Sequence, residues 1–167
     1  MLILREGELS VDYLDVCAGP AVVLAYSSVS ANQQRRRLVA ALRPTYRCAA
    51  PNLLGYGPTS PWQAGRKQTL ADKVQVTLAL CKTIPGPIQL VGHSWGCVVA
   101  FETANKLKNS VCCVTAADVA HANKKDSVIL HQNNALCSVA AADDCRSMAA
   151  NGIMKSILAG GLATSHS

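Results

Sequence analysis

The chain is predicted to be an α/β protein built on a parallel, doubly wound sheet with helices on both faces. Three observations predict it. Strand-like and helix-like segments alternate along residues 1–115, the pattern of parallel strands joined by crossover helices. The run Ala21-Val22-Val23-Leu24-Ala25 is continuously apolar, as a strand buried on both faces of a sheet must be. Gly92-His93-Ser94-Trp95-Gly96 stands between the strand-like run 88–91 and a helix-like stretch, 97–107, which puts a serine at a sharp turn on the carboxyl edge of the sheet.

The elements follow in chain order. Residues 9–16 alternate well enough for an edge strand, and 21–25 form a buried one. Residues 32–42 read as a helix that ends before Pro44, with Leu38, Val39, Ala41 and Leu42 inward and Arg35-Arg36-Arg37 on a solvated face. Tyr46 to Ala50 is the next strand, closed by Pro51-Asn52, and a loop rich in Gly and Pro reaches Pro61-Trp62. Thr69 is placed to cap a helix through Ile84 that carries Leu70, Val74, Leu78 and Cys81 on one face, with Lys73 and Lys82 elsewhere. Runs 88–91 and 111–115 supply two more strands around the helix that follows Ser94. Near the end, Asp143-Asp144 can cap a short helix with Met148, Ile153, Met154, Ile157 and Leu158, stopped by Gly160-Gly161.

Composition narrows the class. At 167 residues, half of them apolar, the chain can bury a core without a metal or a disulfide staple. Its eight cysteines include no Cys-x-x-Cys pair, so they read as buried thiols of a reducing compartment rather than a disulfide framework or a metal site. The first residues hold too short an apolar run for a signal peptide, and no stretch reaches membrane-spanning length. A cytoplasmic location with no membrane partner is the expectation. The net charge of +6 comes with few aromatics and none among Arg35-Arg36-Arg37, which argues against a nucleic-acid partner.

The chemistry concentrates on Ser94. A serine at the apex of a strand-to-helix turn is held off the sheet in a strained backbone, so the residues two places away must be small, and Gly92 and Gly96 are. Such a turn exposes the serine oxygen and aims the N–H of Trp95 at the place where an attacked carbonyl gains negative charge. Ser94 is therefore the candidate nucleophile and Trp95 a candidate oxyanion donor.

From residue 14 to residue 114 the chain resembles the first half of a bacterial serine α/β-hydrolase. Three segments carry the resemblance, in the family's order. Val22-Val23-Leu24-Ala25-Tyr26-Ser27-Ser28-Val29-Ser30 stands where the family has a strand and its oxyanion loop; Ala50-Pro51-Asn52-Leu53-Leu54-Gly55-Tyr56-Gly57 is similar to its proline-acid-glycine loop; Leu90-Val91-Gly92-His93-Ser94-Trp95-Gly96 is similar to its nucleophile turn. The resemblance implies hydrolysis of an ester, thioester or related acyl bond of a small-molecule substrate. It implies a second oxyanion donor at Ser27 or Ser28, a triad in the order serine, acid, histidine, and no metal or organic cofactor.

The sequence departs from the family at several points. Tyr26-Ser27 replaces the usual His-Gly, and Asn52 stands where Asp is commoner. Only 73 of the 167 residues follow Ser94, and residues 116–167 contain 12 Ala and no Phe, Trp, Tyr or Pro. The compositional shift predicts an incomplete hydrolase core, 1–115, followed by a divergent Ala-rich tail, partly helical or disordered. In that tail Asp118 is the candidate acid, or else an ordinary loop aspartate. His121 is the candidate base, with His131 and His166 also after Ser94, and a polar surface histidine is the default reading of each; His93 is assigned to packing around the turn. A sheet that stops at residue 115 leaves its last strand unpaired on one edge and open to self-association. The rival functional reading is a truncated, non-catalytic hydrolase-like protein without a working acid-histidine pair.

Overall fold

The apolar runs become the centre of the sheet. The computed structural model describes residues 2–26, 31–63, 65–93, 95–117 and 135–138. Its strands are β1 (Leu2–Glu6), β2 (Leu9–Val16), β3 (Ala21–Tyr26), β4 (Arg47–Pro51), β5 (Ile88–His93), β6 (Val111–Ala117) and β7 (Ala135–Ser138), and its helices are α1 (Ala31–Leu42), α2 (Leu70–Lys82) and α3 (Trp95–Leu107). The strands lie in the order β1-β2-β4-β3-β5-β6-β7. The central four, β4, β3, β5 and β6, run parallel, while β2 joins β4, β1 joins β2 and β7 joins β6 antiparallel.

Because successive side chains of a strand point to opposite faces, a continuous apolar run needs cover on both sides. Val22 and Leu24 of β3 pack with Leu38 and Leu42 of α1 on one face, together with Cys48 and Val91. Val23 packs on the other with Leu90, with Val74 and Leu80 of α2 and with Val99 of α3. Each such buried side chain contributes about 1.5–3 kcal/mol. Helices therefore cover both faces, as the sequence predicts. Ala41 does not turn inward with its neighbours; it is exposed at the margin of the α1 stripe.

Helix α2 begins where the sequence places it. The Thr69 side chain accepts from the Asp72 N–H at 3.3 Å and the Asp72 carboxylate accepts from the Thr69 N–H at 2.8 Å, a closed capping box. Hydrogen bonds from the Thr69 hydroxyl and backbone, with Arg66 adding a 2.7 Å ion pair, hold the Asp72 carboxyl below its ordinary range. A lowered folded-state value stabilises the fold fully above the unfolded value of about 3.9, and that support is lost as pH falls through the folded value.

Two expectations are corrected. Residues 9–16 are not an edge strand: β1 pairs along β2 from Leu2 opposite Tyr13 to Glu6 opposite Leu9, through a two-residue loop in which Gly7 takes φ +60. β1 lacks a clean apolar-polar alternation, which hid it in the sequence. The outer edge of β6 is not open either, because β7 pairs with it from Ala117 opposite Ala135 to Val114 opposite Ser138. Four residues, Ala-Leu-Cys-Ser, carry too little β-branched or aromatic signal to be read as a strand. The predicted capped helix after Asp143 lies outside the described residues.

Among the described residues Cys48, Cys81, Cys97, Cys112 and Cys113 are buried and Cys17 is exposed. Burial pushes the Cys48 thiol up to about 11, aided by the nearby Cys17 and Asp15, and the Cys81 thiol up to about 12. Both stay protonated and unreactive at neutral pH. Among the described residues no helix is long and apolar enough to cross a membrane.

Candidate active site

The carboxyl ends of the parallel strands converge. β3 pairs with β5 so that Ala25 faces Gly92 and Tyr26 faces His93, and β6 pairs with β5 so that Ala116 faces Gly92 and Ala117 faces His93. Three neighbouring strands, about 4.8 Å apart, thus end level with one another. The residues that follow them in the chain are Ser27, Ser94 and Asp118. From β3 the chain crosses through α1 to β4 on one side, and from β5 it crosses through α3 to β6 on the other. The two crossovers therefore leave β3 and β5 toward opposite sides, and such a switch point is where open α/β sheets form a ligand crevice.

The turn after β5 is as tight as the sequence implies. β5 ends at His93 and α3 begins at Trp95, so one residue, Ser94, separates strand from helix. A Cβ added to Gly92 would stand 2.5 Å from Cys97 Cα, 2.6 Å from the Gly96 carbonyl oxygen and 2.7 Å from Cys97 N. These are backbone atoms, and no real side chain approaches backbone so closely. The first turn of α3 therefore lies directly on the end of β5, with Gly96 itself buried. Trp95, as the first residue of α3, has its N–H among the amides that an α-helix leaves without a helical acceptor, at the positive end of the helix dipole.

Other sequence-predicted site residues lie outside the described residues: Ser94, Ser27, Ser28, Asp118, His121, His131, His166 and the side chain of His93. Trp95 is within them. The residue is 43% exposed, and the Lys73 ammonium stands 5.6 Å from its ring centroid.

A buried carboxylate missed by the sequence reading organises the loop after β4. Asp12 of β2 is fully buried, and its Oδ2 accepts a 2.6 Å hydrogen bond from Asn52 Nδ2. The Asp12 N–H donates to Thr59 Oγ1 at 3.0 Å, and the Asn52 N–H donates to the Asp12 carbonyl at 2.8 Å. These contacts tie residues 52–59 to β2 at the carboxyl edge of the sheet. They also explain Asn52 physically: an aspartate there would set two carboxylates against each other in a buried place. Asn52→Asp is expected to cost about 3 kcal/mol at neutral pH, with the loss shrinking in acid as one carboxyl takes a proton. Adding Asp12→Asn should restore the donor-acceptor match and most of the melting temperature. Thermal melts at two pH values check this, and a single variant as stable as the parent would refute it.

The fold and the turn define a protein of the α/β-hydrolase fold class. The model of the alpha/beta hydrolase family matches residues 14–159, and the chain belongs to that family. The match continues through most of the segment after residue 115. The chain is similar to Lipase LipV of Mycobacterium tuberculosis, 35% identical over 104 residues that cover 62% of this chain and 39% of LipV. Among solved structures it is similar to the meta-cleavage product hydrolase CumD of Pseudomonas fluorescens IP01, at 25% identity and TM-score 0.60 over 70% of this chain and 45% of CumD. It is also similar in fold to the epoxide hydrolase VrEH1 of Vigna radiata, at TM-score 0.64 and 23% identity over 74% of this chain and 42% of VrEH1. The chain spans less than half the length of each of these proteins.

Proposed function

We propose that this protein is a serine hydrolase that cleaves an ester, thioester or related acyl bond of a small-molecule substrate, with Ser94 as the nucleophile. The observation that carries the reading is the backbone contact at Gly92: strand and helix meet with a single residue between them, and that residue is a serine. A histidine base, His121 in this reading, takes the Ser94 proton as the serine oxygen attacks the carbonyl carbon. The N–H groups of Trp95 and of Ser27 or Ser28 hold the oxyanion, Asp118 orients the base, and the leaving group departs with the proton. Water, deprotonated by the same histidine, then releases the acid and restores Ser94.

The level ends of β3, β5 and β6 support this assignment, since they bring the starts of the three loops that bear Ser27, Ser94 and Asp118 to one edge. The similarity to a lipase favours an ester substrate. The likeness to an epoxide hydrolase concerns the fold alone, and a serine at position 94 directs the chemistry toward acyl carbon, because an alkyl-enzyme ester requires a carboxylate nucleophile.

Labelling with a fluorophosphonate probe tests the reading. Folded protein is expected to take up one equivalent on the peptide containing Ser94, and Ser94→Ala to take up none. Absence of label on the folded parent would instead identify a non-catalytic hydrolase-like protein, and label retained by Ser94→Ala would move the nucleophile elsewhere.

A further inference from the structure

Lys73 occupies an electrostatically unfavourable place. It lies in the first turn of α2, where the helix dipole favours anions and disfavours cations. The neighbouring carboxylate, Asp72, is already engaged by Thr69 and by Arg66 at 2.7 Å. Among the described residues no carboxylate pairs with Lys73; its ammonium instead lies over the Trp95 ring, 5.6 Å from the centroid. That ring belongs to the residue next to Ser94, and Trp95 remains 43% exposed, a large hydrophobic residue left open at the start of α3. The amino end of α3, the amino end of α2 and an ammonium with no carboxylate partner among the described residues therefore meet at the Lys73–Trp95 contact.

From this arrangement we propose that Lys73, held against Trp95, is a specificity residue that selects acyl groups bearing a carboxylate. The inference rests on the Ser94 acyl-hydrolase reading. A carboxylate on the acyl chain supplies the counter-charge that Lys73 lacks among the described residues, and the exposed indole supports the methylenes between the carboxylate and the reacting carbonyl. Lys73 acts on binding, not on the bonds that break.

The test compares 4-nitrophenyl hexanoate with mono-4-nitrophenyl adipate, acyl chains of equal length that differ by a terminal carboxylate. The parent is expected to prefer the adipate, and Lys73→Gln to lower the adipate-to-hexanoate ratio of kcat/KM about fivefold, chiefly through KM. Lys73→Arg should keep the preference and Lys73→Glu should reverse it. An unchanged ratio in Lys73→Gln and Lys73→Glu overturns the proposal. A binding readout separates it from the Ser94 reading. The chain has two tryptophans, so in Trp62→Phe the emission reports Trp95, and adipate should shift it saturably, with the shift lost when Lys73→Gln is added. No shift in Trp62→Phe overturns charge recognition; a normal shift with hydrolysis of neither ester supports it and sinks the Ser94 chemistry instead.

Discussion

Ser94→Ala is expected to lower kcat/KM for an activated ester by about four to six orders of magnitude. The size of the loss follows from what the hydroxyl does. In the proposed reaction the nucleophile, its base and the orienting acid act as a unit, so removing the serine also makes the proton transfer useless, and the residual rate is what binding and oxyanion donors give to attack by water. The backbone N–H of Trp95 and the turn geometry are kept, because alanine has the same backbone preferences at this size. Circular dichroism and melting temperature should therefore stay near those of the parent while turnover disappears. Retention of activity within tenfold would show that the reaction does not pass through Ser94.

Gly92→Ala is expected to be the most damaging small substitution in the sheet, at about 3 kcal/mol or more. The added methyl would stand 2.5 Å from Cys97 Cα and 2.6 Å from the Gly96 carbonyl oxygen. A flexible side chain can step aside from such a contact, but these atoms are the first turn of α3. Relief requires the helix to lift from the end of β5, which uncouples Val99 and Ala100 from the core they share with Leu90 and Val23. The same movement displaces Ser94 and the Trp95 N–H relative to the β3 loop, so hydrolysis should fall with stability. Chemical denaturation of the purified variant measures the first effect and ester turnover the second. A variant that unfolds at the parent's midpoint would mean that strand and helix do not touch there.

Much of the fold was legible because it rests on local chemistry. A continuous apolar run such as 21–25 is suited to burial on both faces of a sheet, and Thr69 with Asp72 three residues later marks a helix start whatever surrounds it. The glycines flanking Ser94 were equally readable, since a turn this tight excludes side chains. The parts that escaped have no local mark. β1 and β7 are strands only by virtue of the edge each one pairs with, and Leu2–Glu6 is largely exposed even when paired. Lys73 reads as one more solvated lysine until α3 brings Trp95 beside it.

The amino-acid sequence by itself determined the α/β class, the positions of α2 and the central strands, and a serine between the end of β5 and the start of α3, because apolar periodicity, capping residues and paired glycines act within a few residues of chain. Tertiary structure alone decided that β3, β5 and β6 end level with one another, that β7 closes the edge of β6, and that Asp12 meets Asn52 across 40 residues. Register and long-range pairing are fixed by how whole faces fit together, and the free energy of that fit is spread over many contacts. No single residue announces it.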